Sequence, residues 1–316
     1  MKVLFIDSVH PILERRLVKL GFTCEHDYTS SRESILENIS KYQGLVVRSR
    51  TPINKEFLAK ATRLQFIARS GAGLENIDTL KAQNLGIELF SAPEGNRQAV
   101  GEHALGMLLS LFNKLSIADK QIRNGKWFRE TNRGTELASK TIGIIGYGNM
   151  GKAFAKCLSG IGCSVLAFDI HKKKYSDKYV CESTLKEIQE KADIVSFHTP
   201  YNESTHHYFN SDFILKMNKP FYVINTARGK VVCTEDLIDG LRSEKVLGAC
   251  LDVLEYEQSS FENMFETEIS DSFSYLLKSK EVLLSPHVAG WTEKSYEKLS
   301  SVLADKIEEK FKPIKL

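Results

Sequence analysis

Apolar residues fall along this chain in short unbroken runs, separated by stretches where they recur every three or four positions. The runs at 2–6, 44–48, 64–68 and 87–90 predict strands in the first third. Those at 141–145, 164–168, 193–197, 221–225, 247–251 and 282–284 predict strands in the remainder. They are largely apolar throughout rather than alternating, the pattern of parallel strands covered by helices on both faces. Helical spacing fills 11–20, 54–61 and 76–84 between them. A repeated strand-then-helix order defines an α/β fold, with enough strands for two doubly wound parallel sheets. Between the two sets, 98–126 has dense apolar positions at helical spacing (Ala99, Val100, Ala104, Leu105, Leu108, Leu109, Leu111, Phe112, Leu115). A helix apolar around so much of its circumference is buried on several sides, bridging domains, packing on a second subunit, or both. The irregular, acidic stretch 255–280 reads as an excursion over the surface.

Composition narrows the classes. Lys and Arg total 43 against 40 Asp and Glu, a formal charge of +3, which gives no basic stripe for nucleic acid. At 42% apolar and 26% charged residues the chain is neither disordered nor a small disulfide scaffold. Cysteines 24, 157, 163, 181, 233 and 250 show no CxxC spacing, so reduced thiols and a cytoplasmic setting are expected. Only a run of four apolar residues, Val3 to Ile6, leads into Asp7, too few for a signal-peptide core. The longest apolar stretch, 104–112, is about half of what spans a bilayer, so no membrane segment is expected. No metal site is expected either: His206 and His207 are adjacent and cannot share a helix face, and HExxH is absent.

Gly146-Tyr147-Gly148-Asn149-Met150-Gly151 follows the strand 141–145 and opens a helical run. The next strand, 164–168, ends in Asp169. Strand, glycine turn, helix, strand and acid in that order make a dinucleotide site. Gly146 permits the turn, Gly148 lets a pyrophosphate approach the backbone, and Gly151 lets helix and strand pack closely. The pyrophosphate then rests on the free N–H groups at the helix start. Asp169 accepts from the adenosine ribose hydroxyls and repels a 2′-phosphate, favouring NAD over NADP. The run His171-Lys172-Lys173-Lys174 reads as a solvated loop, although a lysine there could reach a phosphate.

Ligands of open α/β sheets lie beyond the carboxyl ends of the strands. Three complementary groups follow such ends here: Arg228 after 221–225, Glu257 after 247–251, and His287 after 282–284, with Asp252 capping its own strand. A histidine base, a carboxylate to stabilise its imidazolium and a guanidinium to hold a carbonyl and carboxylate suit one reaction. That reaction is hydride transfer between a nicotinamide and C2 of a 2-hydroxy acid.

At these residues the sequence resembles the D-2-hydroxyacid dehydrogenase family over essentially its whole length. The resemblance is carried by the glycine turn with Asp169, by 192–200, by 224–229, by 248–253 and by 285–290. It implies catalytic Arg228, Glu257 and His287, with Asp252 near the nicotinamide. Cofactor contacts are implied at His198, Thr199, Pro200, Thr226, Ala227 and Gly290 besides the 146–151 turn. It further implies a Rossmann NAD-binding domain, 99–286, inserted into a flavodoxin-like substrate domain of 1–98 and 287–316. Within the family, Val47-Arg48-Ser49-Arg50-Thr51, Arg69-Ser70-Gly71-Ala72-Gly73 and 124–137 look most like phosphoglycerate dehydrogenases. On that likeness the N–H groups of Ser70, Gly71, Ala72 and Gly73 hold the substrate carboxylate, and Arg48, with Arg50 or Arg69, faces a phosphate. A homodimer through 98–126 is expected.

The chain departs from the family pattern in three places. Asn149 and Met150 stand where Arg and Ile are common, Gln258 rather than Pro follows Glu257 and opens an insertion to Glu281, and the chain ends at Leu316 without room for a regulatory domain. The expected activity is therefore 3-phosphoglycerate oxidation with NAD. A hydroxypyruvate or glyoxylate reductase would share every catalytic residue, and an NAD-sensing corepressor-like binding protein is a third reading.

Overall fold

The computed structural model describes residues 1–257 and 270–311. Their contacts divide into two units: Met1–Arg97 with 291–311, and Gln98–Glu257 with 270–290.

In the first unit, strands β1 (Lys2–Phe5), β2 (Thr23–His26), β3 (Gly44–Val47), β4 (Phe66–Arg69) and β5 (Glu88–Ser91) alternate with helices α1 (Ile12–Lys19), α2 (Arg32–Asn38), α3 (Lys55–Lys60) and α4 (Thr79–Asn84). The strands form one parallel sheet in the order β2-β1-β3-β4-β5. Side-chain alternation sorts its two faces: Leu4, Leu45 and Ile67 pack with Ile35 and Phe57, while Val3, Phe5, Val46 and Phe66 pack on the opposite side with Leu13 and Leu17. Helix starts follow their caps, Ser31 accepting from the Ser34 N–H, Asn54 from Phe57 and Asp78 from Lys81.

Next come α5 (Pro93–Phe112) and α6 (Leu115–Arg123). The single helix expected over 98–126 is thus two. Lys114 takes a left-handed backbone, φ 52°, and ends the first helix. Burial also differs: Ala104, Leu108 and Phe112 of α5 lie in the core, whereas α6 buries no residue.

The second unit contains β6 (Thr141–Ile145), α7 (Asn149–Leu158), β7 (Ser164–Phe168), β8 (Cys181–Glu182), α8 (Leu185–Lys191), β9 (Ile194–Phe197), α9 (Ser211–Lys216), β10 (Phe221–Asn225), α10 (Thr234–Arg242), β11 (Val246–Leu251), α11 (Asp271–Lys278) and β12 (Val282–Leu284). Among the described residues its sheet has seven parallel strands in the order β12-β11-β10-β9-β6-β7-β8. Helices cover both faces, Phe154 and Leu158 of α7 on one and Phe213, Leu237 and Phe273 on the other. The surface excursion expected over 255–280 holds only in part. Ser270 caps α11, and Phe273 and Leu276 of that helix are core residues, while 258–269 lie outside the described residues. Finally α12 (Glu293–Phe311) returns to the first unit, its Leu299, Leu303 and Ile307 stripe packing with Leu13 and Leu17. Among the described residues no helix is long and apolar enough to cross a membrane.

Candidate active site

Strand β6 lies between β7 and β9, where the strand order reverses, so the carboxyl end of β6 opens on a crevice. The glycine turn sits there. Gly146 has φ 92°, and a Cβ on it would stand 2.8 Å from the His198 carbonyl oxygen. A Cβ on Gly151 would lie 2.2 Å from the Gly146 oxygen, so α7 can press onto the turn only with glycine. Above Gly148, by contrast, no atom lies within 4 Å of a Cβ position, and this residue caps α7 without a side-chain acceptor. Two buried hydroxyls, Thr199 just past β9 and Thr226 just past β10, have no hydrogen-bond partner among the described residues. An open helix start beside unpaired buried donors fits a dinucleotide pyrophosphate.

Asp169, one residue past β7, accepts from the Tyr147 N–H at 2.9 Å, and its other oxygen accepts from the His171 and Lys172 N–H groups. The run His171–Lys174 is exposed, as expected of a solvated loop, and within it Lys172 Nζ folds back onto the Tyr147 carbonyl at 2.7 Å. The Tyr147 side chain is fully buried, its hydroxyl donating to Asp177, so only its backbone belongs to the turn. His198 is likewise turned inward, its ring against Phe154 and its Nε2 2.8 Å from Ser196 Oγ. Burial pushes its imidazole down to about 3, and Nδ1 has no partner among the described residues.

At the other edge of this sheet, His287 Nδ1 meets Glu257 Oε2 at 2.6 Å. The pair joins the segment after β11 to the segment after β12, and its side chains are only 12% (Glu257) and 23% (His287) exposed. His287 has φ 53°, a conformation a non-glycine residue holds only when its surroundings dictate it. Asp252 supplies that constraint. It is 1% exposed and accepts from Ser285 Oγ at 2.6 Å, Val288 N at 2.9 Å and Ala289 N at 2.9 Å. Its backbone carbonyl accepts from His287 N at 2.7 Å. Burial alone raises a carboxyl pKa, but hydrogen bonds from His103, Ser285, Ala289 and Val288 hold Asp252 below the usual range. His103, on α5, lies 2.9 Å from Ser285 Oγ and 3.4 Å from Asp252 Oδ1. Asp252 thus positions the His287 loop, and His103 and Ser285 complete a network that sequence spacing does not reveal.

Arg228 follows β10, the neighbour of β11, and one of its Nη atoms donates to the Ala227 carbonyl at 2.6 Å. Buried Asn225 shapes the turn, accepting from Ala227 N and donating to the Arg228 carbonyl. A Cβ on Gly229 would fall 1.9 Å from the Leu254 oxygen, so the Arg228 turn and the Glu257 segment touch backbone to backbone. Glu257 in turn accepts from Leu254 N. The nearby Glu255 is committed elsewhere, to His207 and to the N–H of Thr234 at the start of α10.

In the first unit, Arg48 follows β3 and its guanidinium carbon stands over the Trp291 ring, 4.0 Å from the centroid. Asp7 accepts from the Arg48 N–H, while the Arg48 carbonyl accepts from Arg69 Nε at 3.2 Å and Asn76 Nδ2 at 3.0 Å. Burial lowers the Arg48 pKa against the opposing pull of Asp7. Ser70 donates its N–H to the Val47 carbonyl, Gly71 packs tightly on Arg69, and Ala72 and Gly73 continue the loop. Arg50 does not join this group. Its guanidinium is spent on the carbonyls of Ile6, Asp27, Tyr28 and Ser30, which removes it from the phosphate candidates.

Comparison with known proteins places the chain in a family. A family model described as D-isomer specific 2-hydroxyacid dehydrogenase, NAD binding domain, matches residues 105–289. A hydroxypyruvate reductase of Thermotoga maritima is 32% identical over 289 residues, covering 92% of this chain and 90% of that one. A D-3-phosphoglycerate dehydrogenase of Archaeoglobus fulgidus is 31% identical over 309 residues, and the chain spans 56% of that relative's length. Among solved structures, D-lactate dehydrogenase from Aquifex aeolicus, complexed with NAD and lactic acid, superposes with a TM-score of 0.84 at 26% identity. That superposition covers 99% of this chain and 96% of the other. Since the family match takes in more than half of the chain, including the whole glycine turn and the His287–Glu257 pair, this protein belongs to the NAD-binding D-isomer-specific 2-hydroxyacid dehydrogenases.

Proposed function

We propose that the protein is an NAD-dependent dehydrogenase of 3-phosphoglycerate, forming 3-phosphohydroxypyruvate in serine biosynthesis. Bound NAD supplies the hydride acceptor. His287 takes the proton of the C2 hydroxyl, or returns it in the reverse direction, and Glu257 steadies the imidazolium that forms. Arg228 holds the C2 oxygen and the carboxylate; the Ser70 and Gly71 N–H groups are taken by the Val47 and Arg69 carbonyls, which leaves those of Ala72 and Gly73 for the carboxylate. Gly146–Gly151, Thr199 and Thr226 would hold the cofactor, and Asp169 would accept from its ribose hydroxyls.

The single observation supporting a phosphorylated substrate is Arg48. Among the described residues its guanidinium has no hydrogen-bond acceptor, although it stands at the carboxyl end of β3, where the first sheet reverses its order. One bidentate pair with a phosphate is worth about 1.5–3 kcal/mol, roughly ten- to a hundredfold in kcat/KM. The test is the kcat/KM ratio of hydroxypyruvate phosphate to hydroxypyruvate. A ratio above about ten is expected. A ratio near one supports a hydroxypyruvate or glyoxylate reductase, a reading favoured by the loss of Arg50 to structural carbonyls. Failure to turn over any 2-oxo acid would leave the NAD-sensing binding protein.

The same proposal includes a cytoplasmic homodimer through 98–126. Helix α6 and the segment after it expose Leu115 (56%), Ile122 (51%), Trp127 (77%) and Phe128 (50%), a set of apolar side chains that a second copy would cover. Sedimentation of Ile122→Glu as a monomer, against a dimeric parent, would support it.

A further inference from the structure

We infer that Trp291 is a positioning residue for substrate selection, holding the Arg48 guanidinium ready for a second anionic group on the 2-oxo acid. The inference rests on the proposed role of Arg48 and adds the residue that makes the arginine selective.

Four observations support it. Arg48 is held at its backbone from both sides, by Asp7 on its N–H and by Arg69 and Asn76 on its carbonyl, so only the side chain retains freedom. Trp291 restrains it by a cation–π contact, its ring centroid 4.0 Å from the guanidinium carbon. A stacked guanidinium keeps its in-plane N–H donors for a ligand, and the ring costs it none of them. Finally, the buried hydroxyl of Ser70, 4% exposed, has no partner among the described residues, and neither has Asn76 Oδ1. Ser70 is tied through its N–H to Val47, the residue before Arg48. Unpaired polar atoms beside an arginine without an acceptor mark a place where a ligand completes the hydrogen bonding. Trp291 itself is 57% exposed, more than a tryptophan serving only the core would be.

The chemistry that fits is a distal anion, either a phosphate ester or a carboxylate. An unstacked arginine must order its long side chain when the anion binds, whereas Arg48 has already been ordered by Trp291. The stacking should therefore act on KM for substrates with a tail anion and hardly on kcat.

The experiment compares parent, Trp291→Phe, Trp291→Leu, Arg48→Ala and the Arg48→Ala/Trp291→Leu double variant. Each is assayed for reduction of hydroxypyruvate phosphate, oxaloacetate and hydroxypyruvate, with thermal melts recorded alongside. The two acids distinguish a phosphate from a carboxylate tail. In Trp291→Leu the kcat/KM ratio of the preferred tailed acid to hydroxypyruvate should fall about tenfold, through KM, and Phe should restore most of it. The double variant should lose no more of that ratio than Arg48→Ala alone. An equal fall for all three acids, or a full tryptophan effect in the Arg48→Ala background, would overturn the inference while leaving the parent's preference intact. A parent ratio near one for both tailed acids removes the Arg48 reading itself, and this inference with it.

Discussion

Asp252→Asn is the sharpest probe of how this fold holds the His287 loop. The carboxylate receives Ser285 Oγ and Val288 N on one oxygen and Ala289 N on the other, with His103 beside the first. An asparagine presents one oxygen and one NH₂ group to those donors. Its better orientation keeps the oxygen on the crowded side and turns NH₂ toward Ala289 N–H, losing one bond and opposing two donors. Hydrogen bonds to a charged group are worth about 1.5–3 kcal/mol, so the variant should lose about 2–4 kcal/mol of stability at neutral pH. The pH dependence has a definite sign. Hydrogen bonding holds the Asp252 carboxyl below its unfolded value of about 3.9, so its contribution is complete above about pH 5. That contribution fades as pH falls through the folded pKa, and the gap between parent and variant should close in acid. Activity should suffer too, because the left-handed backbone of His287 depends on this loop. A displacement near 1 Å at the base costs about a hundredfold in kcat. The assay pairs urea melts at pH 7 and pH 3.5 with NADH oxidation and an NADH binding titration. A kcat within threefold of the parent, with unchanged melts at pH 7, would refute this view of Asp252.

Other perturbations test separate parts. Asp169→Ala should weaken NADH and reduce discrimination against NADPH, measured as the ratio of their kcat/KM values; a parent that already prefers NADPH would refute the ribose assignment. His198 should make stability fall on acidification, because the unfolded imidazole takes a proton at about 6.5 and the buried one only at about 3. The loss between pH 7.5 and pH 5 is about 2 kcal/mol by linkage, and His198→Gln should remove that component from urea midpoints at the two pH values. Gly229→Ala drives a Cβ into the Leu254 carbonyl and should cost about 3 kcal/mol in melts while lowering kcat, since Glu257 is bonded to that same residue. An alanine variant with the parent's melting temperature would deny the close contact.

Strands buried on both faces were legible in the sequence. Gly44–Val47 and Ile194–Phe197 are buried throughout, so unbroken apolar runs announced them. Thr23–His26 and Cys181–Glu182 were not read, because edge strands with polar, partly exposed positions carry no such run. The break at Lys114 was also hidden: neither glycine nor proline marks it, and the apolar spacing continues through Leu115. Helix Asp271–Lys278 sits in a serine-rich, acidic stretch that reads as loop until Phe273 and Leu276 are seen to be buried. The pairing of His287 with Glu257 was legible because each follows a strand end in one sheet. The His103 contact and the Trp291 stack join positions 149 and 243 residues apart respectively, from Asp252 and Arg48, and no local pattern encodes them. Arg50 shows the converse. An arginine in a suggestive motif was spent on backbone carbonyls, which only the fold could reveal.

The central claim is that His287, held by Glu257, moves the proton that accompanies hydride transfer. Its most direct test is the turnover of NADH with hydroxypyruvate phosphate by His287→Ala, measured beside the NADH dissociation constant of the same variant. The expected result is a fall in kcat of roughly 10²–10⁴-fold with NADH affinity within a few-fold of the parent. Turnover within threefold of the parent would contradict the claim and take His287 out of the mechanism.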